Sequence, residues 1–264
     1  MNVDVRALQE FLTSLGFSPG PIDGIYGQQT HTALMLAKQS REPIPSYIEG
    51  IDVSGWNHAV DWKKVAAAGC RYAFIKVSEG STHRHRNRQR NFAGAREHKI
   101  PCGPYHFALP RTYQQLKMKD ARKEAENFLS CYGDPQPGDL RGVCDLESGL
   151  IPHKHNYNCE WILEWCRVVE EALGYKPILY TARWATTSRI LKADASLLNE
   201  LAKFDLWWAE YRPEETKVPT KPLEPWSSFA IWQYTGSGSI DGIKGRVDIN
   251  RMRPETLAKL RIDA

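Results

Sequence analysis

The sequence predicts an α/β fold: a closed β/α barrel of eight strands with fewer than eight helices, (β/α)5β3-like, preceded by a small all-α module. Three observations carry that reading. From about residue 50, short apolar runs alternate with stretches of helical periodicity, the pattern of parallel strands with helices outside. Past about residue 200 the helical stretches shrink while strand-like runs continue, so the last three strands are joined mostly by loops. No glycine-rich phosphate-binding fingerprint follows the first strand, which places an open nucleotide-binding sheet below a barrel.

Taken in order, Val5, Leu8, Leu12 and Leu15 recur at helical spacing, Phe11 widens the stripe, and Gly16 can end that helix. Pro19-Gly20-Pro21 and Asp23-Gly24 make turns, and Thr30 can cap a second helix carrying Ala33, Leu34 and Ala37. Residues 41–48, with two prolines and little periodicity, read as a linker between a helical module (1–40) and a barrel domain (49–264). In the barrel, Ile51–Val53 precedes a helix at Trp62–Ala68, and Tyr72–Val77 precedes one at Asn87–His98. Tyr105–Phe107 precedes a long polar helix from about Gln114 to Ser130. Val143–Leu146 precedes Trp161–Leu173, and Ile178–Tyr180 precedes Trp184–Leu191. Trp207–Tyr211, Ala230–Tyr234 and Val247–Ile249 are the remaining strands.

A chain of 264 residues can bury a large core, and its net charge of +4 suits an anionic polymer only weakly. No apolar run approaches the ~20 residues that span a bilayer, and the N-terminus carries no secretory signal. The expectation is a monomer made in the cytoplasm, with no membrane partner, acting on its target after release. The six cysteines show no C-x-x-C pair and sit in apolar segments, so they read as reduced and buried. His83, His85, His153, His155 and Cys159 show no zinc spacing, so neither a metal nor another cofactor is expected. The run His83 to Arg90 reads as a solvated loop entering a helix, not as a nucleic-acid site. Trp56, Trp62, Trp161 and Trp165 read as core.

The chemistry centres on Asp145-Leu146-Glu147. Acids avoid strand cores, and two at spacing two share a face roughly 6.6 Å apart along the strand. Such a pair repels, and the more buried member keeps its proton to higher pH. A strand ending in solvent would look the same. Polar and aromatic residues at the same end of the other strands favour a lined cavity: Asp52; Lys76 and Glu79; Tyr105 and His106; Tyr180; Trp207 or Trp208 with Glu210; Gln233; Asp248 and Asn250.

Gly50-Ile51-Asp52-Val53-Ser54, Phe74 to Gly80, Gly103 to Phe107, Asp145-Leu146-Glu147, Ile178 to Thr181, Ile231 to Tyr234 and Val247 to Asn250 together resemble the lysozymes of glycoside hydrolase family 25. The resemblance implies a muramidase with Glu147 as catalytic acid, assisted by Asp145, Asp52 and Asp248, and bacterial peptidoglycan as substrate. Tyr105, Tyr180 and Trp207 offer ring faces for sugars, while Lys76, Glu79 and Gln233 line the substrate site. Leu8, Gln9 and Leu12 followed by Asp23, Gly24, Tyr26, Gly27 and Thr30 resemble the small peptidoglycan-binding module of wall hydrolases. A binding module ahead of such a barrel looks like a phage endolysin. A catalytically inactive wall-binding protein and an amidase are the alternatives. The four acids argue against the first, and the lack of a metal or thiol constellation against the second.

Overall fold

The computed structural model describes residues 4–14, 17–39, 47–57, 59–111, 117–211, 219 and 224–262. They form two compact units. One takes in Met1–Ile48 and Met252–Leu260, the other Glu49–Arg251 and Arg261–Ala264.

The first unit holds α1 (Val5–Ser14), α2 (Gln28–Gln39) and, from the far end of the sequence, α9 (Pro254–Leu260), which lies against α1. Its small core is Leu12, Ala33 and Ala37, with Leu8, Phe17 and Leu34 packed on it. Leu15, Gly16 and most of the expected linker lie outside the described residues. Thr30 does not cap α2, which begins two residues earlier. It is buried, its hydroxyl reaching Pro19 O at 3.1 Å, because a buried glutamine one helix away needs an acceptor there.

The second unit is the barrel. Its strands are β1 (Ile48–Val53), β2 (Ala73–Glu79), β3 (His83–Arg84), β4 (Cys102–Phe107), β5 (Val143–Leu146), β6 (Ile178–Ala182), β7 (Leu206–Ala209), β8 (Ile231–Gly238) and β9 (Val247–Met252). The order β1-β9-β8-β7-β6-β5-β4-β2 closes through a parallel β1–β2 pairing, giving eight barrel strands, and β3 adds to β2 as a short antiparallel hairpin. Neighbours from β2 and β4 through β8 pair in parallel.

The connecting helices are α3 (Trp62–Ala67), α4 (Arg88–Glu97), α5 (Lys117–Tyr132), α6 (His155–Leu173), α7 (Arg183–Arg189) and α8 (Ala195–Leu201). Among the described residues, six helices thus lie between β1 and β7. Two elements differ from expectation. The basic run opens as β3 before entering α4, and the two-turn α8 precedes β7; both are too short to leave a periodic signature. Another difference is the short turn η1 (Gly55–Asn57) after β1.

Strand periodicity fixes which side chains face inward. Ile51, Val53, Ala73, Ile75, Val77, Cys144, Leu146, Leu179 and Trp208 join the layer between strands and helices, with Trp161 and Trp165 of α6. The alternate residues therefore point into the barrel. There Phe74 and Trp207 pack at 4.6 Å and Tyr180 meets Trp207 edge-on at 4.9 Å. All six cysteines are unpaired and buried.

Candidate active site

Register aligns the acids. Asp145 of β5 pairs with Tyr180 of β6, which pairs with Trp207 of β7, while Asp52 of β1 pairs with Phe74 of β2 and Gln233 of β8 with Ala209. Asp248 and Asn250 share a face of β9 at spacing two. Inward-facing positions near the C-terminal ends of the parallel strands thus carry Asp52, Tyr105, Asp145, Tyr180 and Gln233, with Glu147 one residue past β5.

Hydrogen bonds tie these groups together. Gln233 Nε2 and Asn250 Nδ2 donate to Asp52 Oδ2 at 3.0 and 2.8 Å. The Tyr180 and Tyr211 hydroxyls donate to Gln233 Oε1 at 2.9 and 2.7 Å. The Trp207 indole N–H donates to Asn250 Oδ1 at 2.8 Å. Lys76 Nζ sits 2.7 Å from Glu79 Oε2 and over the Phe107 ring.

The four acids fall into two pairs whose members act on one another, Asp145 with Glu147 and Asp52 with Asp248. Burial, then the Glu147 charge, pushes Asp145 well above the usual carboxylate range. Burial raises Glu147 as well; the hydrogen bond from Asp145 and the charge of Lys76 oppose that rise, and Asp248 adds to it. Burial and then Asp248 push Asp52 up against the pull of Asn250 and Gln233, and burial also raises Asp248. The more buried member of the first pair is Asp145, at 7% exposure, while Glu147 is half-buried and nearer the mouth. Asp145 Oδ1 is buried without a partner. Tyr105 lies within the field of all four acids, and burial raises its hydroxyl first.

Trp207 is placed differently from its neighbours. It is 2% exposed and sandwiched in the barrel, so its ring faces are covered. Among the described residues, the open aromatic rings just past barrel strands are Tyr211 after β7, Trp184 in the first turn of α7 after β6, and Trp56 in η1 after β1. Trp56, read as core, is 90% exposed because η1 turns the chain before any helix starts. Trp62, Trp161 and Trp165 are buried.

A second buried network escaped the sequence reading. Ser78 Oγ lies 2.8 Å from His106 Nδ1, and His106 Nε2 lies 2.9 Å from Glu124 Oε2, which also accepts the Leu109 N–H at 3.0 Å. All three side chains are fully buried. Desolvation drives His106 down to about 3 and Glu124 up to about 8. Ser78 reaches this face because β2 bulges between Lys76 and Ser78. Glu124 belongs to a buried polar stripe of α5 with Asp120 and Asn127.

In the first unit, the residues assigned to wall binding divide. Gln9 Nε2 donates to Asp23 Oδ1 (3.0 Å), Ile25 O (3.1 Å) and Thr30 Oγ1 (3.1 Å), and the Gly24 N–H donates to Gln9 Oε1 at 2.9 Å. Gln9 also holds the Asp23 carboxyl below its usual range. Asp23, Gly24 and Thr30 therefore build the turn. Gly27 O accepts the His31 N–H at the start of α2, and Tyr26 is exposed beside Ile25.

Comparison with known proteins agrees with this fold. The family model of the glycosyl hydrolases family 25 matches residues 51–243, and that of the peptidoglycan binding domain matches residues 2–41. An uncharacterized protein, YegX, of Escherichia coli strain K12 is 30% identical over 216 residues, covering 80% of this chain and 71% of that protein. Lysozyme M1 of Streptomyces globisporus is 28% identical over 214 residues, covering 78% and 68%. The crystal structure of the bacterial lysozyme from Streptomyces coelicolor superposes with a TM-score of 0.68 at 27% identity, covering 81% of this chain and 96% of that one. The chain belongs to the glycosyl hydrolases family 25, a glycoside hydrolase carrying a peptidoglycan-binding module.

Proposed function

We propose that this enzyme is a muramidase. It cleaves the β-1,4 bond between N-acetylmuramic acid and N-acetylglucosamine in bacterial peptidoglycan, as an endolysin does in host lysis, and residues 1–40 hold it to the wall. The observation that carries this reading is the Asp145–Glu147 pair, two buried carboxyls with raised pKa at the C-terminal end of a barrel strand.

Glycoside cleavage needs a proton on the leaving oxygen and stabilisation of an oxocarbenium-like carbon. Glu147, nearer the mouth, supplies the proton. Substrate binding moves the pair's proton from the more buried Asp145 to Glu147, and Asp145, now a carboxylate, accepts the N–H of the substrate's acetamido group on its free Oδ1. That group's carbonyl oxygen then attacks the anomeric carbon as the glycosidic C–O bond breaks and the leaving oxygen takes the Glu147 proton. Water opens the cyclic intermediate, returning a proton to Glu147, with net retention. Two carboxyls on one face of one strand are poorly arranged to bracket a sugar from both sides, which favours this route over attack by Asp145. Asp52 and Asp248, sharing one proton, supply a negative charge toward the cationic carbon.

Wall fragments from a digest, reduced with borohydride, test the bond. Muramitol ends are expected. Glucosaminitol ends would mean a glucosaminidase, and freed peptides an amidase.

A further inference from the structure

Trp56 is the most exposed of the large hydrophobic side chains among the described residues, yet its turn is rigidly held. The buried Asn57 side chain accepts the Ser54 N–H at 2.8 Å and donates to Arg246 O at 3.2 Å. The indole is therefore displayed on a fixed base, directly after the strand that carries Asp52.

The neighbouring hairpin is equally pinned. Asn127 Nδ2 donates to Gly80 O at 2.8 Å and to His83 O at 3.1 Å, and Arg88 Nη1 donates to His85 O at 2.9 Å. His85 lies against the turn: a Cβ on Gly55 would meet its Nε2 at 2.8 Å. Burial, then Lys76, His83 and Arg88, lowers the His85 pKa, so the local field is positive. Arg84 and Arg86 are exposed, and no acidic side chain pairs with either among the described residues. A flat apolar ring on one turn, with unpaired guanidinium groups on the hairpin whose His85 meets that turn, suits a ring-shaped ligand that also carries negative charge.

We propose that Trp56 and the hairpin bearing Arg84 and Arg86 form a distal subsite for a peptide-bearing saccharide of the glycan strand. Trp56 stacks on the sugar, and the arginines bind carboxylates of its peptide stem. The subsite lies beyond β1 and β2, on the same side as the acids, so a strand crossing the barrel mouth reaches both. This inference rests on the muramidase reading.

The test uses the full chain and two soluble substrates: uncrosslinked glycan strands with intact peptide stems, and the same strands stripped of stems by an amidase. Wild-type cleavage of both checks the proposed activity, so a failure there is separate from a failure of the subsite. An Arg84→Glu/Arg86→Glu double variant is expected to raise KM roughly tenfold on stem-bearing strands, the scale of losing paired charge contacts. On stripped strands its KM should stay near wild type. Trp56→Ala should raise KM on both substrates by roughly tenfold, the scale of one aromatic anchor, with kcat little changed and Trp56→Tyr restoring most of the loss. Melting temperatures show that each variant is folded. Unchanged KM for folded Trp56→Ala, or equal effects of the arginine variant on both substrates, would overturn the proposal. So would inhibition by a soluble polyglycerol phosphate that the arginine substitutions abolish while stem-bearing strands bind as before, because the hairpin would then read a wall phosphate polymer.

Discussion

The helical unit and the barrel both bury polar side chains, but in opposite ways. In the helical unit the buried group is neutral, and its donors and acceptor are used: Gln9 bonds Asp23, Gly24, Ile25 and Thr30. In the barrel the buried groups are acids that crowd one another, shift one another's pKa and leave Asp145 Oδ1 without a partner. A satisfied neutral network stabilises a turn. A half-satisfied acidic one costs stability and keeps reactive groups poised. The contrast separates residues that shape the molecule from residues that do its chemistry.

Glu147→Gln should sharpen that contrast most. It keeps the shape and removes the proton donor, so wall lysis should fall by ~100-fold or more while the melting temperature stays close to wild type. Near-normal lysis by the folded variant would take Glu147 out of the acid role. Asp52→Asn follows, with a smaller loss of turnover. It should also leave stability near wild type, because Asn can still accept from Gln233 or Asn250. A large fall in melting temperature with full activity would make Asp52 structural.

Gln9→Ala should do the reverse. It removes the hydrogen bonds that Gln9 makes with Asp23, the Gly24 N–H, Ile25 O and Thr30, at a cost of roughly 2 kcal/mol to the helical unit. Sacculus binding should weaken while cleavage of short soluble glycans is retained. Unchanged resistance of the N-terminal helices to proteolysis would break the comparison from this side.

The smallest effect concerns the His106–Glu124 pair. Folded, the pair holds one proton between about pH 3 and about pH 8. Unfolded, with ordinary values of 6.5 and 4.5, it holds two protons below 4.5, one between 4.5 and 6.5, and none above 6.5. Its contribution to stability is therefore flat between pH 4.5 and 6.5 and declines on either side. The alkaline decline amounts to about 2 kcal/mol between pH 6.5 and 8, at ~1.4 kcal/mol per pH unit. Denaturant midpoints at several pH values should show Glu124→Gln losing that alkaline decline relative to wild type. Parallel curves for the two proteins would contradict the assignment.

How much of this was legible in the sequence follows from the range of each signal. The barrel strands announced themselves as short apolar runs alternating with helical stretches, and the polar or aromatic residues at one end of those runs, Asp52, Tyr105, Asp145, Tyr180 and Gln233 among them, pointed to a lined cavity. Thr30 read as a cap because it stands at the edge of an apolar stripe, whereas its true partner, Gln9, is 21 residues away. Trp56 read as core because a lone tryptophan before a helix carries no sign of a tight turn. Trp207 could be placed on an inner strand face, but whether its ring met solvent depended on Phe74 and Tyr180 from two other strands. The Ser78–His106–Glu124 network needed a bulge in β2 and the rotation of α5, neither of which has a local sequence signature. The polar character of α5 was plain, but not that Asp120, Glu124 and Asn127 would be buried beside Ala121, Ala125 and Phe128.

The central claim is that burial and neighbouring charge keep Glu147 protonated above the ordinary carboxylate range, ready to donate. The pH dependence of kcat/KM on soluble glycan strands tests it, for wild type beside Asp248→Asn. A raised Glu147 pKa means that activity persists above the ordinary value of 4.5 and is lost as pH rises through the raised value. Asp248 repels the Glu147 charge, so removing it lowers that pKa, and the alkaline limb of the variant should move to lower pH. An alkaline limb at the same pH in both proteins, or one already complete near pH 4.5 in wild type, would contradict the account.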